Sequence, residues 1–121
     1  TLITVIIPFY NRIDWLIEAV KSVQEQTHKN LEILIINNNS TEDLAKLKNI
    51  INNDLRIKLL NEPKQGAGAA RNKGMALAKG DFICFLDADD LWSPNKIEQQ
   101  INVMLRKGSQ FSYTDYVQFD E

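Results

Sequence analysis

Asp87-Ala88-Asp89-Asp90 sets three carboxylates within four residues, directly after the apolar run Phe82-Ile83-Cys84-Phe85-Leu86. Anions this close repel one another unless solvent or a cation compensates them. Hard oxygen ligands select magnesium or manganese, and such sites leave coordination positions for water and a substrate's phosphates. Asp89 is the first candidate for a direct metal ligand. Asp87 could meet the metal through water or accept a hydrogen bond from a ribose hydroxyl. The plainer reading of the same residues is a solvated turn in which Asp90 caps a short helix.

Two further groups of residues suit a nucleotide. Tyr10 follows Pro8 at the end of an apolar run, where a rigid turn can present an aromatic face to a base; such stacking is typically worth about 1–3 kcal/mol. Gly66 and Gly68 form a small-residue loop that a ligand can approach closely. Arg71 and Lys73 follow in the first turns of an Ala-rich helix, whose N-terminus favours anions and would suit a diphosphate. The same small residues also permit close helix-to-sheet packing.

The elements that must position these residues alternate. Leu2 to Ile7 reads as a strand buried on both faces and stopped by Pro8. A helix follows, capped by Asp14, with Leu16, Ile17, Val20 and Val23 at helical spacing and an end near Gln26. Leu31 to Ile36 is a second strand, and Ser40 with Asp43 resembles a capping box for a helix carrying Leu44, Leu47 and Ile51. A short strand over Arg56 to Leu60 leads to a helix over residues 69 to 79, stopped by Gly80. Asp81 to Leu86 is the fourth strand, Ser93-Pro94 opens a helix that Gly108 ends, and Phe111 to Phe119 is one more candidate strand. Alternation of this kind predicts a doubly wound α/β fold, with a mostly parallel sheet flanked by helices on both faces. Ligands of such sheets lie beyond the carboxyl ends of the strands, so Pro8-Phe9-Tyr10-Asn11, Asn37-Asn38-Asn39-Ser40 and Asp87-Ala88-Asp89-Asp90 should converge on one edge.

The whole-chain properties narrow the field. With 121 residues, 44% hydrophobic and 25% charged, the chain has the composition of one ordinary globular domain. Fourteen Lys and Arg against sixteen Asp and Glu leave a formal charge of -2, which disfavours a nucleic-acid binder. No apolar stretch approaches the roughly 20 residues needed to span a bilayer, and no signal peptide is evident. The lone Cys84 is expected to pack as a core residue, and the lone His28, in a polar string, to lie in a solvated turn. The opening at Thr1 within a strand suggests an excised or trimmed segment.

Four ordered segments carry a resemblance: Val5-Ile6-Ile7-Pro8-Phe9-Tyr10-Asn11, Ser40-Thr41-Glu42-Asp43, Gly68-Ala69-Ala70-Arg71-Asn72-Lys73-Gly74, and Phe85-Leu86-Asp87-Ala88-Asp89-Asp90 with Pro94. Together they resemble the nucleotide-sugar-binding half of a family 2 glycosyltransferase with a GT-A fold, and the resemblance spans residues 1–121. It implies transfer of a sugar, with inversion, from a nucleoside diphosphate donor, a UDP-sugar first, to the hydroxyl of a glycan or lipid-linked acceptor. Pro8, Phe9, Tyr10, Asn11, Asn38, Gly68, Arg71, Asp87 and Ala88 would then line the donor site, with Tyr10 stacking on the base and Arg71 helping to hold the nucleotide. Asp87 and Asp89 would engage ribose and a Mn2+ or Mg2+ ion on the diphosphate. The resemblance also implies cytoplasmic work on surface glycans, with any membrane contact made by regions outside these residues. If the chain is a truncated half, its exposed edge could self-associate as a homodimer.

Two departures stand out. Where the family usually has Asp-Asp-Gly-Ser, the second Asp accepting a hydrogen bond from the base, this chain has Asn37-Asn38-Asn39-Ser40. A neutral acceptor there implies weakened base recognition and a shifted nucleotide preference. The family's catalytic base lies on a downstream acceptor-binding half, and Asp115, Asp120 and Glu121 come too early for that role, so no catalytic residue is assigned within the chain. Two other readings remain open at this point. One is a phosphohydrolase resembling the haloacid dehalogenases, with Asp87 as nucleophile and Asp89 as general acid. The other is a degenerate interaction or folding module that has lost donor binding. A dinucleotide-binding turn is excluded because Pro8-Phe9-Tyr10 stands where Gly-x-Gly-x-x-Gly is required.

Overall fold

The structure is a computed structural model that describes residues 1–106. Four strands, β1 (Ile3–Phe9), β2 (Leu31–Asn37), β3 (Ile57–Asn61) and β4 (Phe82–Phe85), alternate with four helices, α1 (Ile13–Gln24), α2 (Ala45–Asn52), α3 (Ala67–Leu77) and α4 (Lys96–Arg106). The strands form one parallel sheet in the order β3-β2-β1-β4. Ile3 pairs with Leu31 and Phe82, and Phe9 with Asn37, so β1, β2 and β3 end level on one edge while β4 ends at Phe85, opposite Ile6.

Strand β1 runs through Pro8 rather than stopping at Ile7, and the hydrogen-bond ladder explains why this is tolerated. Ile3 N donates to Asn30 O and Phe9 O accepts from Asn38 N, so the odd residues of β1 bond towards β2. Leu86 N donates to Ile6 O, so the even residues face β4. Pro8 therefore faces a strand that has already ended at Phe85, and its missing N–H removes no ladder bond.

The pleat divides the core in two. Val5, Ile7, Ile33 and Ile35 pack with Leu16, Ala19, Val20 and Val23 of α1, Leu47 of α2, and Ile97 and Ile101 of α4. On the opposite face Ile6, Leu34, Ile36 and Phe85 pack with Ala70 of α3. Helices cover both faces, as the alternation predicts. Cys84 is buried in the first cluster. The Nε2 of His28 lies 2.9 Å from Thr1 O, beside the amino ends of the strands and away from the acidic segment.

Several boundaries differ from the sequence reading, each for a local reason. Asp14 does not cap α1: the capping position is Arg12, and Glu42 supplies the acceptors from a distant loop. Ser40 is not part of a capping box, because α2 begins at Ala45, where Asp43 Oδ1 accepts the Ala45 N–H at 2.9 Å. Helix α3 begins two residues early, ends at Leu77, and is followed by extended Ala78, so Gly80 does not stop it. Gly80 instead lies against β1, where a Cβ would come within 2.6 Å of Thr4 N. Helix α4 starts at Lys96, after Ser93 and Pro94. The expected stop at Gly108 and the candidate strand over Phe111 to Phe119 lie outside the described residues.

Candidate donor site at the carboxyl edge of the sheet

From β1 the chain steps outward to β2 and β3, then crosses the opposite face through α3 to reach β4 on the other side of β1. The reversal creates a crevice between the carboxyl ends of β1 and β4, the place where open α/β sheets bind ligands. Tyr10 and Asn11 follow β1 at this edge, Asn38 to Ser40 follow β2, and Asp87 to Asp90 follow β4.

The acidic segment leaves the sheet after the Leu86 N to Ile6 O bond and closes into a turn through Asp90 N to Asp87 O, both 3.0 Å. Carboxylate oxygens of Asp87, Asp89 and Asp90 lie within 4.8 Å of one another. Burial, and then the neighbouring Asp89 and Asp87 charges, push the Asp90 carboxyl above its ordinary range. A clustered all-oxygen donor set fits a hard divalent cation such as Mn2+ or Mg2+. From α3, Arg71 Nη2 reaches Asp87 Oδ1 at 3.4 Å, with both side chains nearly half exposed.

Behind the acidic turn, the C-terminal end of α1 holds the chain in place. Ser22 Oγ accepts the Trp92 N–H at 3.2 Å. Gln26, fully buried, donates to Ser93 O at 2.6 Å and accepts the Ile97 N–H at 3.0 Å, so it satisfies the first turn of α4 from another element. Thr27 adds two bonds, its N–H to Pro94 O and its hydroxyl to Glu98 Oε2. The acidic residues are thus fixed on one side by the sheet and on the other by α1.

At the end of β1, Tyr10 is 54% exposed, open to a ligand as stacking requires. Phe9 departs from expectation: its ring is buried in the core and its carbonyl accepts the Asn38 N–H, so its side chain is turned away from the crevice. Asn11 and Arg12 both adopt left-handed backbone, φ 54° and 56°, a turn stabilised from outside. Asn11 Oδ1 accepts the Ser40 hydroxyl and the Thr41 N–H, each at 2.8 Å. Glu42 accepts the Arg12 and Ile13 N–H groups with its two oxygens, each at 3.0 Å. The segments after β1 and β2 therefore brace each other. Asn39 takes a left-handed conformation at φ 71°, which asparagine tolerates better than most residues. Pro8 and Ala88 are half-buried. Gly68 lies exposed in the first turn of α3, and a Cβ there would meet nothing within 4 Å, which leaves open space before the helix N-terminus.

Sequence reasoning missed Gln26, Glu42 and the bracing role of Asn11. Gln26 stood in a polar string that read as solvated surface, and its bonds to Ser93 and Ile97 join residues about 70 positions away. Asn38, the residue the resemblance sets at the base, is buried at the end of β2, with its amide bonded to the 62–66 segment.

An acidic turn, an arginine on a helix N-terminal turn and an exposed aromatic at the switch point of a parallel sheet define a Rossmann-like α/β domain of the GT-A type. The chain belongs to glycosyl transferase family 2, whose family description matches residues 4–120. It is 50% identical over 121 residues to an uncharacterized glycosyltransferase, RC0461, of Rickettsia conorii, covering all of this chain and 20% of that protein. It is 40% identical over 116 residues to WfgD of Escherichia coli, a UDP-Glc:alpha-D-GlcNAc-diphosphoundecaprenol beta-1,3-glucosyltransferase, covering 95% of this chain and 46% of that protein. The fold superimposes on the crystal structure of S. aureus TarS 1-349 in complex with UDP-GlcNAc at a TM-score of 0.79 and 23% identity, over 88% of this chain and 32% of that one. The chain thus spans between about a fifth and a half of the curated relatives it matches. Family membership overturns the phosphohydrolase reading, whose Asp-x-Asp normally follows a first strand; here it follows β4. Among the described residues no helix is long and apolar enough to cross a membrane.

Proposed function

We propose that this chain carries the donor site of an inverting glycosyltransferase, which moves a sugar from a nucleoside diphosphate, uridine diphosphate first, to the hydroxyl of a glycan or lipid-linked acceptor. The observation that carries the reading is the contact of Arg71 with Asp87 beside the clustered Asp89 at the switch point of the sheet, with Tyr10 exposed at the end of β1. WfgD, by its name, takes UDP-Glc to a diphosphoundecaprenol-linked acceptor, and TarS is seen with UDP-GlcNAc, which supports this donor and acceptor class.

Each group has a task in that reading. Tyr10 stacks on the base, and the N-terminus of α3 with Arg71 faces the diphosphate. Asp89 holds a Mn2+ or Mg2+ ion, and Asp87 shares the ion or the ribose hydroxyl. When bound, such an ion stabilises the negative charge that develops on the departing diphosphate. Arg71, 3.4 Å from Asp87, orients that side chain before donor arrives. The base that deprotonates the acceptor hydroxyl belongs to the downstream half, and the work is done in the cytoplasm, where donors of this class are made in bacteria.

Titration calorimetry with uridine, guanosine, cytidine and thymidine diphosphates, each with and without manganese, tests the reading. We expect manganese-dependent binding of one nucleotide, uridine diphosphate first, and its loss in Asp89→Ala while the fold persists. Unchanged manganese-dependent affinity in Asp89→Ala would remove Asp89 from the site. Absence of binding by the folded protein to all four would favour the degenerate-module reading.

A further inference from the structure

Asn38, at the end of β2, is 4% exposed, and its side-chain amide bonds on both ends to one segment of chain. Its Nδ2 donates to Glu62 O and to Lys64 O, each at 2.8 Å, and its Oδ1 accepts the Gly66 N–H at 2.8 Å. Its backbone N–H donates to Phe9 O at 2.9 Å, and Glu62 N donates to Asn37 O at 3.0 Å. One residue thereby joins the end of β1, the end of β2 and the segment entering α3.

This pattern is particular to an amide. Two carbonyl oxygens need two donors and the Gly66 N–H needs an acceptor, and only a carboxamide offers both on one short planar group. An ionised carboxylate in the same place has no donor and sets negative charge against two carbonyl oxygens. The segment held is also one that requires holding. Gly66 has φ 124°, a conformation open to glycine and costly for other residues, and it is the N-terminal capping residue of α3. Four residues into that helix stands Arg71, whose guanidinium meets Asp87 of the acidic turn.

We infer that Asn38 is a positioning residue of the donor site: its amide clamps the 62–66 segment and thereby fixes the first turn of α3 and Arg71 against the acidic turn, in place of reading the base with its side chain. The functional consequence rests on the donor-site reading above, whereas the clamp itself does not.

Asn38→Asp keeps the size of the side chain and removes both donors. Two measurements on the purified protein decide the matter: hydrogen exchange by mass spectrometry over residues 62–70 and over β1 and β2, and affinity for uridine and guanosine diphosphates with manganese. We expect exchange to accelerate over 62–70 and to stay unchanged in the two strands, while affinity for both nucleotides falls by the same factor, about tenfold. Asn38→Ala, which breaks the clamp without adding charge, should give the same uniform loss, and it carries the comparison if the aspartate variant fails to fold. A residue that reads the base predicts the opposite, tighter uridine diphosphate binding by Asn38→Asp and an altered ratio between nucleotides, and that result would overturn the inference. So would unchanged exchange over 62–70. If the unsubstituted protein binds neither nucleotide, the donor-site reading fails, and exchange in the unliganded protein still decides whether Asn38 holds the segment.

Discussion

At the turn before β3, Arg56 grips Asp54 with two guanidinium nitrogens, Nε at 3.0 Å from Oδ1 and Nη2 at 2.9 Å from Oδ2. Gln24, the last residue of α1, donates to the same carboxylate, and Arg56 reaches on to Lys29 O. The pair ties the turn to the α1–β2 connection and so sets where β3 joins the sheet. The Arg56 hydrogen bond holds the Asp54 carboxyl down at about 2 from its ordinary 3.8. Because the folded value lies below the unfolded one, this stabilisation is present above 3.8 and is lost as pH falls through about 2. Asp54→Asn should therefore cost about 1–2 kcal/mol at neutral pH, a value reduced for partial exposure, as read from urea unfolding midpoints. The gap between variant and parent should close as the pH is lowered through that window, and a pH-independent gap would assign the loss to geometry instead of charge. Arg71 and Asp87 form a contrasting pair. At 3.4 Å and nearly half exposed they add little to stability, and in the proposed donor site their part is the charge they present to a ligand.

Among the elements, what the sequence made legible was what local pattern controls. The β-branched run of β1 and the helical spacing of Leu16, Val20 and Val23 required no partner to be read. What stayed hidden were bonds made across the chain: Glu42 capping α1 and Gln26 satisfying α4 involve polar residues whose partners lie about 30 and 70 positions away. The backbone partners of Asn38 were equally hidden, because a short polar string gives no sign of which backbone groups it will meet. Helix α3 shows the same limit for glycine. Gly74 marks no bend; α3 lies so close to the sheet that a Cβ there would fall 2.6 Å from Ile6 Cγ2. Ile6 is fully buried and cannot retreat. Overpacking of this kind costs about 1–3 kcal/mol, and the gain in helix propensity over glycine offsets roughly 1 of that. Gly74→Ala should thus destabilise by up to about 2 kcal/mol. Combined with Ile6→Ala, it should cost less than the sum of the two single changes, because the added methyl fills the space vacated by Ile6; strict additivity in the double-mutant cycle would place the two residues out of contact.

For the molecule as a whole, the parallel sheet has a polarity that separates function from support. Strands β1, β2 and β4 carry the candidate site residues to one edge, while the other edge is closed by structural bonds: Thr4 Oγ1 donates to Glu32, Glu32 accepts the Lys79 N–H, and Thr4 accepts the Gly80 N–H. The seven residues of β1 span about 20 Å at roughly 3.3 Å per residue, so the two edges lie a strand length apart. Paramagnetic broadening of amide resonances falls with the inverse sixth power of distance, which makes Mn2+ a ruler for this polarity. Titrating manganese into the isotopically labelled protein should broaden amides of Tyr10, Asn11, Arg71 and Asp87 to Leu91 first. Amides of Ile3, Leu31, Lys79 and Gly80 should keep their intensities, and Asp89→Ala should abolish the early losses while leaving the amino edge as it was. Uniform broadening across both edges would mean that manganese binds scattered surface carboxylates, of which sixteen Asp and Glu supply many. Early losses confined to the edge holding the switch point, and abolished in Asp89→Ala, would instead place the manganese at the acidic turn after β4, where Asp87, Asp89 and Asp90 bring their carboxylates within 4.8 Å of one another.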